Sequence, residues 1–161
     1  MSGVPSLGPR GEGWLALQIV ALIIVLAGGL LAPHSAGLPE GMPISGVALV
    51  LVVLGLGISL SGVVMLQRAR SLSALPHPAP GSDLLTTGPY ALIRHPIYLG
   101  LIIAALGWSI GQDSTIAILG SALLAVVLDL KRRREEIRLL AHFPEYARYR
   151  ARTKALIPFL Y

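Results

Sequence analysis

Four long stretches of this chain carry almost no charge, and its polar positions are gathered between and after them. Trp14 to about Ala32 is an unbroken apolar run of membrane-spanning length. It is too long for the core of a signal peptide, and it predicts a retained transmembrane helix with Trp14 at the interface. The preceding MSGVPSLGPRGEG is rich in Gly, Pro and Ser and predicts a loose tail. Pro33 to Pro43 is a short loop holding His34 and Glu40 but no Lys or Arg. Ile44 to about Leu66 predicts a second span, and its Gly46, Gly55, Gly57, Ser59, Ser61 and Gly62 favour close helix–helix approach. No strand precedes these glycines, so they do not form a nucleotide-binding loop.

Gln67 to Gly88 is the longest polar connection, opening with Arg68 and Arg70 and passing through an extended Pro76-His77-Pro78-Ala79-Pro80 spacer. A third span is predicted over 96–111. Gly111-Gln112-Asp113-Ser114 then makes a tight turn into a fourth span over 115–130, so the last two spans form a helical hairpin. Beyond Leu130 the pattern changes abruptly to Lys131-Arg132-Arg133-Arg134-Glu135-Glu136, which predicts that the fourth helix continues as a charged, amphipathic stem. Pro144 stops it, Tyr146 to about Lys154 predicts one more short basic helix, and the tail turns apolar again as if returning to the membrane surface. The expected architecture is a single all-α domain over 1–161, with spans at about 14–32, 44–66, 96–111 and 115–130 and C-terminal helices within 131–154.

Composition agrees with that pattern. A chain that is 54% hydrophobic and only 13% charged is no ordinary soluble domain. Its mean hydropathy of +0.73 points to a polytopic membrane protein with little mass outside the bilayer. The lack of cysteine removes disulfides and thiolate chemistry, and four histidines on separate segments have no metal-ligand spacing, so no metal is assigned. The net charge of +5 invites a nucleic-acid partner, but in so apolar a chain it marks the cytoplasmic face and anionic membrane lipid instead. With four spans, the N-terminal tail, the second loop and the C-terminal stem share one side and hold all 13 basic residues, and the other loops hold none. Both termini are therefore expected in the cytoplasm of a multi-pass cell-membrane protein. Eleven arginines against two lysines, with an Ala/Gly/Leu bias, point to a bacterial membrane.

The candidate chemistry lies at the mouth of the third span, in Arg94-His95-Pro96-Ile97-Tyr98. Pro96 disfavours the α conformation at His95 and suits the first helical position, so the helix is expected to start there with His95 at its N-cap. Tyr98 lies three residues from His95 and four from Arg94, which lets the three side chains reach a common pocket. The free N–H groups and dipole of this helix start favour an anionic group. Glu135 and Glu136 of the stem emerge on the same face. Each of these residues also has a plainer role: Arg94 as a topology anchor, His95 as a cap, Tyr98 as an aromatic-belt residue, and the acids as solvated charges paired with Lys131 or Arg132. Asp129 is expected to pair with an arginine, and His142 to be structural.

Taken together, residues 84 to 158 resemble the isoprenylcysteine carboxyl methyltransferases and their phospholipid-methyltransferase relatives, integral-membrane enzymes that use S-adenosylmethionine without a Rossmann domain. The resemblance rests on three blocks in order: Leu84-Leu85-Thr86-Thr87-Gly88-Pro89-Tyr90 leading to Arg94-His95-Pro96-Ile97-Tyr98-Leu99-Gly100; the pair Glu135-Glu136; and Phe143, Tyr146, Tyr149, Arg150 with Leu156-Ile157-Pro158. Phe143-Pro144-Glu145-Tyr146 is one residue shorter than is usual there. The resemblance implies a cofactor pocket between the third span and the stem. In it Glu135 or Glu136 accepts from the ribose diol, His95 and the helix start meet the carboxylate, and Tyr90 and Tyr98 wall the adenine, with Pro96, Gly100 and Tyr146 in the same pocket. Arg94 or Arg150 would hold an acidic acceptor, or an acid such as Glu136 would take a proton from a neutral one.

Two other classes compete. Membrane NAD(P)H-dependent reductases of the steroid-reductase type carry a similar Arg-His-Pro turn, but with Asn after the proline and an acid where this chain has Leu99-Gly100-Leu101. A non-catalytic four-helix membrane protein is the third, though spans one, two and four are nearly without the ionisable residues that a transport path needs. The expected acceptor is lipophilic or membrane-dissolved and bears a carboxylate, amine or thiol.

Overall fold

The apolar stretches all become helices, and what joins them sets the shape of the site. A computed structural model describes residues 4–34, 36–37, 44–69 and 84–157. Five α-helices occur there: α1 (Glu12–Leu31), α2 (Ile44–Arg68), α3 (Pro96–Gly111), α4 (Thr115–His142) and α5 (Tyr146–Arg152), with one 3-10 turn over Gly88–Ala91. Among the described residues there is no strand, only an isolated bridge between Ile93 and Lys154. The Pro-rich spacer with His77, the loop residue Glu40 and the terminal Pro158 lie outside the described residues.

By length and composition, Glu12–Leu31 and Ser45–Arg68 are able to cross a membrane, and Pro96–Gly111 is a shorter apolar helix. Their outer faces are built of groups such as Ile23, Leu30, Leu49, Val53 and Leu60, each more than half exposed, a surface suited to lipid rather than water. α2 packs on α3, α1 packs on α4, and α3 and α4 join the two pairs. Small residues let α2 and α3 touch backbone to backbone. A Cβ added at Gly55 would stand 2.5 Å from the Gly100 carbonyl oxygen and the Ala104 nitrogen, and Ser59 Oγ donates to the Ile97 carbonyl at 2.9 Å. The hairpin is pinned inside by Ser109 and Ser121 at 2.8 Å, and Ser114 caps α4 while donating to the Gly28 carbonyl of α1 at 2.8 Å.

α4 runs unbroken for 28 residues from the apolar stretch into the charged stem and ends two residues before Pro144, as the sequence predicts. α5 stops at Arg152, short of the expected Lys154, because Thr153 turns extended and the following backbone pairs with the segment before α3. Arg94 N–H donates to the Lys154 carbonyl at 2.8 Å and His95 N–H to that of Ala155 at 3.1 Å. Ala155 and Leu156 are consequently buried against protein, where the sequence suggested a return to the membrane surface.

The N-terminal segment is also tighter than expected. Trp14 is buried within the protein, and its Nε1 donates to the Pro5 carbonyl at 3.1 Å. Arg138 of the stem donates to the carbonyls of Arg10 and Pro9 at 2.6 and 2.9 Å. Residues 5–10 thus tie the start of α1 to the stem of α4, because an indole and a guanidinium supply the donors that a Gly/Pro-rich tail cannot make for itself.

Candidate functional site

Pro96 opens α3 and His95 is its N-cap residue, as the local sequence requires. The imidazole does not cap the helix. It points instead to the stem, with Nε2 3.2 Å from Glu136 Oε1 and Nδ1 3.7 Å from Glu135 Oε2. Its ring stacks on Tyr98 at 5.4 Å between centroids and 5° between planes, and the Tyr98 hydroxyl donates to Glu135 Oε2 at 2.9 Å. One turn of α3 and one turn of α4 are therefore joined through two acids. The turn before α3 depends on Gly88, whose φ of 60° favours glycine.

The two carboxylates differ in their surroundings. Glu136 has a side chain only 5% exposed and is ringed by cations. Arg94 Nε donates to it at 2.9 Å, Arg150 Nε lies 3.3 Å and Arg132 Nη1 3.7 Å away, and His95 Nε2 stands 3.2 Å from the same carboxylate. Burial raises its pKa, but the hydrogen bonds and charges of His95 and Arg94 outweigh that and hold it at about 2. Glu135 keeps 25% of its side chain exposed and accepts a hydrogen bond from the Tyr98 hydroxyl. Glu136 is the centre of a closed ionic cluster; Glu135 is the more open acid.

Arg94 is a clasp. Besides Glu136, its Nη1 donates to the Thr153 carbonyl and, at 3.2 Å, to that of Arg150, so the start of α3, the stem and the end of α5 meet on one side chain. Tyr90 is buried with its hydroxyl toward the Gly62 carbonyl at 3.4 Å, while its own carbonyl accepts from Tyr149 at 2.7 Å. It supports the cluster from behind, within reach of the Glu135 charge, and burial pushes its phenol pKa well up. Tyr146 is 1% exposed and its hydroxyl has no hydrogen-bond partner among the described residues. Burial, then the nearby Glu136 charge, keeps that phenol protonated far above its ordinary range. Pro96 is buried against Gly62. Gly100 lies in the α2–α3 contact, where a side chain would run into Gly55 and Ser59.

The structure therefore brings Arg94, His95, Tyr98, Glu135, Glu136 and Arg150 into one constellation with Tyr146 beside it, and uses Tyr90, Pro96 and Gly100 to pack its frame. Asp129 pairs with Arg132 at 2.6 Å and Arg133 at 2.8 Å, as expected. Sequence reasoning missed Lys131 and Gln18. Lys131 is buried with Nζ 2.6 Å from Gln18 Oε1 of α1 and 5.4 Å from the centre of the Tyr98 ring. The signal was a single amide in the otherwise apolar body of α1. An open depression of about 310 Å³ lined by residues including Thr86, Arg148 and Tyr149 adjoins the cluster without including its acids. Among the described residues no group of three or more His, Cys, Asp or Glu is arranged to hold a metal ion.

An all-helical chain with apolar outer faces and an Arg-His-Tyr helix start locked to paired acids defines a recognisable class. Residues 44–145 match the family described as phospholipid methyltransferase. The chain belongs to the phospholipid methyltransferase family. The matched region takes in Arg94, His95, Tyr98, Glu135 and Glu136 and stops one residue before Tyr146. Among curated relatives, the cobalt-zinc-cadmium resistance protein CzcN of Cupriavidus metallidurans is 36% identical over 111 residues, 67% of this chain and 49% of that protein. The nickel-cobalt-cadmium resistance protein NccN of Alcaligenes xylosoxydans xylosoxydans is 32% identical over 112 residues, 69% of this chain and 51% of that protein. The chain spans about half the length of the curated relatives it matches.

Proposed function

We propose that this protein is an integral-membrane methyltransferase that takes its methyl group from S-adenosylmethionine and passes it to a lipophilic or membrane-dissolved acceptor. The observation that carries this reading is the joining of His95 and Tyr98 to Glu136 and Glu135 at 3.2 and 2.9 Å, in a chain of the phospholipid methyltransferase family. The donor set suits the cofactor. Glu135 has the more exposed carboxylate, matching a diol that needs an acceptor, and the orphaned Tyr146 hydroxyl is a buried donor in want of a partner. Glu135, Tyr98, His95 and Tyr146 would hold the cofactor. When bound, it supplies an electrophilic methyl group on a sulfonium centre.

The chain's own residues then do the rest. Arg94 and Glu136 fix α3, the stem and α5 in one relative position, which is the positioning that methyl transfer needs most. Charge neutralisation during transfer to an anion is favoured where water is excluded, as it is around the buried His95, Glu136 and Tyr146. Arg150, 40% exposed at its side chain, is the cation best placed to meet an acidic acceptor; Arg94 is occupied by the clasp. Glu136 is held ionised by the groups around it and serves as their counter-ion. In this reading α3 and the first half of α4 cross the bilayer with α1 and α2, the basic end faces the cytoplasm of a bacterial cell, and the site lies at the membrane surface.

Titration of the purified, detergent-solubilised protein tests the cofactor. It should bind S-adenosylmethionine and not NADPH, and Glu135→Gln should weaken that binding at least tenfold with the melting temperature kept. Failure of the unmodified protein to bind S-adenosylmethionine would overturn the reading. Labelled methyl donor incubated with native membranes identifies the acceptor. Comparing membranes from cells grown with and without cobalt or cadmium asks whether that acceptor is connected with metal stress, the setting named in both relatives.

A further inference from the structure

Lys131 sits just past the apolar half of α4, where a basic residue ordinarily marks the membrane boundary and points to lipid head groups. It does not point outward. It is 2% exposed, less than Glu136 or Arg132 beside it, and it is the deepest charge in the bundle among the described residues. Lys131 and Glu135 are four residues apart and share one face of α4. Yet the ammonium reaches inward to Gln18 Oε1 of α1 at 2.6 Å and lies 5.4 Å from the centre of the Tyr98 ring of α3. Burial lowers its pKa, and the Glu135 charge acts against that. The side chain thus touches three helices.

Joining α1 to α4 does not need a cation. Two amides or a hydroxyl pair would link the helices as well, as Ser109 and Ser121 do between α3 and α4, without the cost of burying an ammonium. What a cation adds is specific to its neighbours. It is attracted to the face of Tyr98, whose hydroxyl holds Glu135, and it balances the charge of that acid. Gln18 fixes where the ammonium stands. The chain Gln18–Lys131–Tyr98–Glu135 therefore runs from a helix with no other part in the site to its most open carboxylate.

From this geometry we infer that Lys131, anchored by Gln18, is a positioning residue that sets Tyr98 and Glu135 for the cofactor, so that α1 helps to determine cofactor affinity. This rests on the methyltransferase reading above. The test is S-adenosylmethionine affinity of the purified protein in detergent, measured beside its melting temperature. Lys131→Met combined with Gln18→Leu, which leaves no orphaned amide, should weaken binding roughly tenfold with the melting temperature within a few degrees of the parent. Lys131→Arg should restore part of that affinity. In a Tyr98→Leu background the same double change should cost clearly less than in the parent, because the route through the ring is gone and only the charge balance with Glu135 remains.

Binding unchanged in the double variant would overturn the inference while leaving the methyltransferase reading intact. So would an equal loss in the Tyr98→Leu background, which would mean that Lys131 acts by another route. If the double variant does not elute as a folded species, Gln18→Leu alone decides. It keeps the cation but removes its anchor on α1, and roughly a threefold loss of affinity is expected, with unchanged affinity overturning the inference. An unmodified protein that binds no S-adenosylmethionine overturns both.

Discussion

Adjacent glutamates in this stem have opposite characters, and the difference decides which substitutions are informative. Glu136 is the shared counter-ion of Arg94, Arg132 and Arg150, with His95 beside it. Removing its charge leaves buried cations unbalanced, and Glu136→Gln is expected to cost about 3–5 kcal/mol, read by thermal unfolding in detergent. Loss of cofactor binding in that variant therefore says little about contact with cofactor. Glu135→Gln removes a charge that is partly solvated, so it should cost less stability than Glu136→Gln and act mainly on binding. Tyr146→Phe makes the opposite separation. Its hydroxyl is buried and unpaired, so deleting it should leave the ligand-free protein as stable or raise its stability by about 1–3 kcal/mol, while weakening ligand binding. A loss of ligand-free stability instead would mean that the hydroxyl already has a partner.

At the scale of elements, α3, α4 and α5 are locked by one guanidinium. Arg94→Lys keeps the charge but cannot reach Glu136 and two carbonyls at once, and it should loosen α5. Limited proteolysis near Arg152 should then speed up while α1 to α4 stay protected. The α2–α3 contact makes a second demand. Gly55→Leu would drive a side chain into the Gly100 and Ala104 backbone, and it should prevent folding or push the two helices apart. Both effects are tertiary, since each arises from contacts between segments that are distant in the chain.

For the whole molecule, the ionic cluster links stability to pH. The pKa of Glu136 is lowered from 4.5 to about 2 in the folded protein, so its charge stabilises the fold above pH 4.5. That contribution is lost as pH falls from 4.5 through about 2. The melting temperature should drop across that window, and Glu136→Gln should flatten the drop. The four-span topology is tested by the lack of native cysteine. Single cysteines at Ser6 and Ala151 should react with an impermeant maleimide only after the cell membrane is opened, and one at Ala36 in intact spheroplasts.

Much of this molecule was written locally. The apolar runs fixed the positions of α1 to α4 to within a few residues, because hydrophobic length and the Pro96 and Pro144 breaks act over a single helix. The same locality placed His95 at the start of α3 and grouped it with Arg94 and Tyr98. What no local pattern contains is which partner each polar group finds. That Arg94, His95 and Arg150 would join Arg132 around Glu136 while Glu135 is left open, that the tail after α5 would pair with the segment before α3, and that Lys131 would turn inward to Gln18 depend on contacts between groups 14 to 113 residues apart. In a low-dielectric interior a buried charge must find a counter-charge or a hydrogen bond, and only the assembled helices decide which one is within reach.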